Sequence, residues 1–184
     1  MSDKGNLSTS PEFRVKGILT EKGITISDKS NIDALSQRGY GTKENEEFTL
    51  TFYEALYLLD KLMLEVQNDK KQDITFQDIL SVYETKDENA WAHYLVYRDL
   101  RSRGYVVREG FGKAIDFRIY ERGAYGKDSA QYLVVSTQEG KPQPMKDLAE
   151  ALIQSQSLKK ELIVAVMNRR GEIVYYSVAP LTFK

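Results

Sequence analysis

Residues 93–108 read His93-Tyr-Leu-Val-Tyr-Arg-Asp-Leu-Arg-Ser-Arg-Gly-Tyr-Val-Val-Arg108, and residues 112–120 read Gly112-Lys-Ala-Ile-Asp-Phe-Arg-Ile-Tyr120. Apolar side chains first recur at helical spacing, then the period shortens to that of a strand. The change falls at Gly104, the residue type that ends helices in a left-handed conformation. These residues predict a helix over Ala90–Arg103, a strand over Tyr105–Arg108 and another over Ala114–Tyr120. Farther on, Tyr132–Ser136 and Leu162–Met167 read as strands. Glu172–Val178 should pair with the latter as a hairpin around the tight turn Asn168–Gly171. Pro144, at a first helical position, opens a helix over Met145–Gln154. The order is helix, three strands, helix, two strands, which predicts an α/β layer on one mixed sheet.

Toward the amino terminus, Lys86–Asn89 is a charged break and the predicted linker between two domains, 13–86 and 87–184. The first domain reads as α+β. Phe13–Leu19 and Gly23–Ile26 alternate like strands, with the turn Thr20–Lys22 between them. Ser30 is positioned to cap a short helix over Asn31–Gln37. Thr51 with Glu54 forms a capping box ahead of a helix predicted over Phe52–Gln67, its face made by Leu56, Leu59, Leu62 and Met63. Asn68–Asp73 is a polar break, and Thr75 with Asp78 caps a short helix running through Tyr83. Residues 1–12 lack periodicity and read as a tail.

Composition narrows the chemistry. The chain has 184 residues, no cysteine and a single histidine. Disulfides, thiolate metal sites, cysteine nucleophiles and any site needing two histidines are excluded. No apolar stretch approaches the roughly 20 residues that span a bilayer, and no basic-then-apolar leader opens the chain. A soluble, cytoplasmic protein without cofactor or metal is expected. Residues 1–86 carry 11 basic and 15 acidic side chains, whereas residues 87–184 carry 15 and 12. A basic back half fits a surface that meets phosphate. His93 is flanked by aromatic residues with no neighbouring carboxylate to orient it, so it reads as a packing residue.

The quoted segments, in this order and spacing, resemble the archaeal-type tRNA-splicing endonucleases, which excise introns at bulge–helix–bulge motifs in precursor tRNA. Ser36-Gln-Arg-Gly-Tyr-Gly41 and Leu50-Thr-Phe-Tyr-Glu-Ala-Leu-Tyr-Leu-Leu59 resemble that family's amino-terminal domain. Ser157-Leu-Lys-Lys-Glu-Leu-Ile-Val-Ala-Val166 with Gly171-Glu-Ile-Val-Tyr-Tyr176 resembles its carboxy-terminal end. The resemblance covers about Phe13 to Lys184 and implies a nuclease-like α/β carboxy-terminal domain. It also implies a metal-independent tyrosine–histidine–lysine triad, yielding 2′,3′-cyclic phosphate and 5′-hydroxyl ends. Such chemistry needs a base for the ribose 2′-hydroxyl, an acid for the leaving 5′-oxygen and a cation for the phosphorane.

Carried over residue by residue, Tyr120 matches the triad tyrosine and Lys160 the triad lysine. The histidine position, three residues before the aromatic of the next strand, is Ser129. Serine cannot donate a proton readily near pH 7, and an exposed Asp128 has already lost its own. The family assembles from four units, so an incomplete triad implies a structural subunit in a heterotetramer with a catalytic paralogue. The alternative is a competent endonuclease using Asp128, His93 or water. A metal-dependent nuclease would want clustered carboxylates, and only Asp116 is placed for that. The apolar tail Ala179-Pro-Leu-Thr-Phe-Lys184 is expected at a subunit contact.

Overall fold

Glu54 is where the two halves of the chain are fastened together. Its carboxylate completes the capping box with Thr51 at the start of α2 (Phe52–Asp60): Thr51 N–H donates to Oε2 at 2.9 Å, and Glu54 N–H donates to Thr51 Oγ1 at 3.4 Å. The other oxygen accepts from Gly41 N–H at 3.1 Å and from the Arg108 guanidinium at 3.3 Å. Arg108 also donates to the Gly39 carbonyl and to Thr42 Oγ1. Burial raises the Glu54 pKa, and Arg108 with the backbone donors opposes that rise. The computed structural model describes residues 14–112 and 114–181. The expected tail 1–12 and the end Thr182–Lys184 lie outside them.

Five more elements precede α2 and three follow it before α4. β1 (Val15–Thr20), β2 (Gly23–Ile26), α1 (Lys29–Gln37), β3 (Thr42–Glu44) and β4 (Glu47–Leu50) lead into it, and β5 (Leu64–Gln67), β6 (Asp73–Ile74) and α3 (Phe76–Glu84) follow. Their strands form a six-stranded sheet in the order β3-β4-β2-β1-β5-β6, with β1 and β5 parallel. The remaining elements are α4 (Ala90–Ser102), β7 (Val106–Glu109), β8 (Phe117–Tyr120), β9 (Tyr132–Gln138), α5 (Met145–Ser157), β10 (Glu161–Met167) and β11 (Ile173–Val178). Here five strands run β11-β10-β9-β8-β7, with only β9 and β10 parallel. Both predicted layers are present: an α+β first half and a mixed-sheet α/β second half.

Three expectations fail in the first half. The helix predicted over Phe52–Gln67 stops at Asp60, because Leu62 turns left-handed (φ 56°) and Leu64–Gln67 pairs with β1. Leu64 and Val66 fit a helical face and a two-residue alternation equally well, and pairing with β1 decides between them. Asp28, not Ser30, caps α1, accepting from Asn31 N–H at 2.9 Å. The hairpin β3–β4 has no counterpart in the expected elements.

An aromatic cluster continues the fastening begun by Glu54. Tyr53 of α2 packs against Tyr97 of α4 at 4.8 Å between ring centroids and edge-on to Phe117 of β8 at 5.3 Å. One buried apolar cluster thus runs through both sheets and the helices α2, α3 and α4 between them. A smaller one, including Leu133, Val135, Ala151 and Leu162, seals α5 against the other face of the second sheet. Among the described residues no helix is long and apolar enough to cross a membrane.

Candidate active site

The ends of three neighbouring strands meet at one edge of the second sheet. β8 runs antiparallel to β9, and β9 parallel to β10, so the carboxy-terminal end of β8 meets the amino-terminal ends of the other two. Tyr120 closes β8, Ser129 precedes β9 and Lys160 immediately precedes β10. Backbone bonds fix this register: Gln131 N–H donates to Ile119 O at 2.9 Å, and Glu161 N–H to Gln131 O at 3.2 Å. Adjacent strands lie about 4.8 Å apart, so the three predicted positions share one surface.

Two of them touch. Lys160 Nζ donates to Ser129 Oγ at 2.5 Å. The half-buried Tyr120 ring stands edge-on to Tyr125 at 5.1 Å, within the loop that leads to Ser129. The site therefore presents a phenol, a hydroxyl and an ammonium on an open surface, with no imidazole among them. Asp128 is exposed beside Ser129; its backbone N–H donates to Ala124 O at 2.8 Å, closing the loop on itself.

His93 lies at the opposite end of β8. Its neighbours in the chain supply no carboxylate, yet in the fold it has two, which corrects the expectation of an unoriented packing residue. Nδ1 lies 2.5 Å from Asp87 Oδ2, and Nε2 lies 3.4 Å from Asp116 Oδ1. Burial would push the imidazole pKa down, but hydrogen bonds to Asp116 and Asp87 and their charges outweigh it and raise it to about 9. For Asp87, burial pushes upward, and the bond to His93 and its charge bring the pKa down to about 2. The result is an imidazolium held between two carboxylates, on a cleft of about 410 Å³ between α2, α3 and β8. Asp116 is further committed, its Oδ2 accepting from Ser136 N–H at 2.5 Å.

From Asp116 to Tyr120 is four strand residues, about 13 Å. His93 therefore lies out of reach of Ser129 and Lys160. Sequence spacing could not find this cluster, because Asp87 lies across the linker turn and Asp116 arrives from another strand.

The comparisons with known proteins match this architecture along most of the chain. The family model described as tRNA intron endonuclease, N-terminal domain matches residues 15–80, and the one described as tRNA intron endonuclease, catalytic C-terminal domain matches residues 90–175. The chain belongs to the tRNA intron endonuclease family. The tRNA-splicing endonuclease of Methanococcus maripaludis is 32% identical over 171 residues, 93% of this chain and 97% of that protein. That of Pyrococcus furiosus is 33% identical over 141 residues, 77% of this chain and 81% of that protein. A third, from Methanococcoides burtonii, is 30% identical over 159 residues, 85% of this chain but 44% of that protein. A tRNA-splicing endonuclease can thus be of this chain's length or about twice it.

Proposed function

We propose that this chain is a noncatalytic, structural subunit of a tRNA-splicing endonuclease, built of units 13–86 and 87–184. It pairs with a histidine-bearing paralogue in a heterotetramer that cuts precursor tRNA at bulge–helix–bulge motifs, leaving 2′,3′-cyclic phosphate and 5′-hydroxyl ends. One observation carries the proposal: between Tyr120 and Lys160 stands Ser129, whose hydroxyl accepts from Lys160. At the triad positions the phenol can serve as the base and the ammonium as the phosphorane's counter-charge, but no group there protonates the leaving oxygen. Loss of general acid catalysis costs typically 10²–10⁴-fold.

Association with a partner is supported by the open face of β11, whose Val174 and Tyr176 are 48% and 54% exposed beside Val166 and Val164 of β10. An apolar edge strand left uncovered is a surface for pairing. The test is reconstitution with the histidine-bearing paralogue. Tyr120→Phe and Lys160→Ala in this chain should leave cleavage by the assembly within about twofold, whereas the matching changes in the paralogue should abolish it. A loss of 10²-fold or more from this chain's variants would make it catalytic.

A further inference from the structure

Gly39 and Gly104 both lie against the loop that joins β8 to β9. Each follows the last residue of a helix, α1 and α4 respectively, and each takes left-handed backbone, with φ 74° and 91°. The space beside each is filled by a side chain of the loop. A methyl group built on Gly39 would lie 3.3 Å from Tyr125 Cε1 and would overlap Val106 Cγ1. One built on Gly104 would overlap the guanidinium of Arg122. Glycine is therefore required at both positions for two reasons, its conformation and the side chain seated on it. Gly123 and Gly126, within the loop, are different: a methyl group on either would meet nothing within 4 Å.

The loop is thus anchored by two side chains. Arg122 Nη2 donates to the Arg103 carbonyl at 2.6 Å and satisfies one of the last carbonyls of α4. Tyr125 reaches the first half of the chain, where the backbone beneath it is itself held. Arg101 donates to the Arg38 carbonyl and Arg108 to the Gly39 carbonyl, each at 3.1 Å. The Arg101 guanidinium also lies over the ring of Tyr40, 3.9 Å from its centroid. Tyr125 therefore rests on a fixed floor, and the ring it meets edge-on, at 5.1 Å, is that of Tyr120. Past Tyr125 the loop folds on itself, with Lys127 N–H and Asp128 N–H both donating to Ala124 O, and delivers Ser129 to Lys160.

We infer that Tyr125 is a positioning residue of the triad end. The first half seats it at Gly39; it fixes the ring of Tyr120 and, with Arg122, holds the stretch that carries residue 129. The first half of the chain thereby shares in setting where Tyr120, Ser129 and Lys160 stand. Both contacts of Tyr125 are made by its ring, so phenylalanine can take its place and a branched aliphatic side chain cannot. The inference holds whether or not this chain cleaves RNA, because it concerns the placing of the three groups and not the acid missing among them.

The experiment uses the full chain with a fluorotyrosine at position 120 alone, read by fluorine NMR. Val106 pairs with Tyr120 across β7 and β8, so Val106→Ala is made throughout, and a methyl group added at Gly39 then meets Tyr125 without displacing β7. Gly39→Ala should shift the fluorine line, and Tyr125→Phe should leave both the line and its response to Gly39→Ala in place. With Tyr125→Leu, Gly39→Ala should add no further shift. A line that ignores Gly39→Ala, or that responds to it equally with leucine at position 125, would overturn the inference. The second readout is cleavage of a bulge–helix–bulge RNA by the chain carrying Ser129→His. There Tyr125→Leu should lower kcat by up to about 10²-fold with KM unchanged, the cost of misplacing a group by about 1 Å, while Tyr125→Phe should retain the rate. An equal loss from both variants would overturn the inference, and if Ser129→His restores no cleavage the fluorine line decides alone. Cleavage with Ser129 in place would count against the subunit proposal and leave this inference standing.

Discussion

The two ends of β8 are built on opposite principles. At the Asp116 end, three ionisable groups are withdrawn from solvent and compensate one another, with His93 linked to Asp87 and Asp116. At the Tyr120 end, Lys160 rests on the neutral Ser129, and the surface is open. The first end ties the linker, α4 and the second sheet together. The second contributes little to folding and keeps the polar groups that a phosphate could meet. The single histidine, on α4, meets β8 at its Asp116 end, away from Tyr120, Ser129 and Lys160.

The comparison breaks most readily through stability. His93→Ala leaves two carboxylates partly buried without their cation, and urea denaturation should show a loss of about 3–5 kcal/mol, the usual cost of breaking a buried ion pair. Equal effects from His93→Ala and Lys160→Ala would erase the distinction between the two ends.

A pH series sharpens the same contrast. The folded-state pKa of His93, about 9, lies above the unfolded value near 6.5. A raised pKa stabilises the fold fully below the unfolded value, and that contribution disappears as pH rises through the folded one. Stability should therefore fall by about 3 kcal/mol between pH 6.5 and 10, an order-of-magnitude figure from about 1.4 kcal/mol per pH unit. Acid acts from the other side, since Asp87 is held at about 2 and its contribution is lost as pH falls through that value. Between these limits His93→Ala should flatten the alkaline limb; an equally steep limb in that variant would assign the effect elsewhere.

Restoring an acid at the open end tests whether it alone is missing. Ser129→His should raise cleavage above that of the unaltered chain yet stay below the rate of a histidine-bearing paralogue. Proton transfer needs heavy atoms within about 3 Å, and the loop over residues 121–128 closes on its own backbone bonds, such as Lys127 N–H to Ala124 O. Full recovery in a single-turnover assay would show that the geometry survived intact. The smallest expected effect is Lys160→Ala, below about 1 kcal/mol on stability, because a half-buried lysine bonded to an exposed hydroxyl contributes little.

How far the sequence could be read follows the same division. Local rules found the capping boxes at Thr51 and Thr75, because each needs only a side chain and an amide three residues on. Tyr120, Ser129 and Lys160 were named by the resemblance alone; that they meet at one end of the second sheet follows from the strand order, which the sequence left open. The end of α2 was not legible: Leu62 adopts a left-handed conformation that leucine seldom takes, and long-range pairing with β1 decides the rest. Nor was the partnership of His93 with Asp87 and Asp116, which depends on how the linker turn and β8 meet in space.

The most direct measurement is single-turnover cleavage of a bulge–helix–bulge RNA by the isolated chain at neutral pH, in a preparation shown free of any paralogue. No 2′,3′-cyclic phosphate product above background is expected. Cleavage at the rate of a histidine-bearing relative, abolished by Asp128→Asn or by Tyr120→Phe, would contradict it.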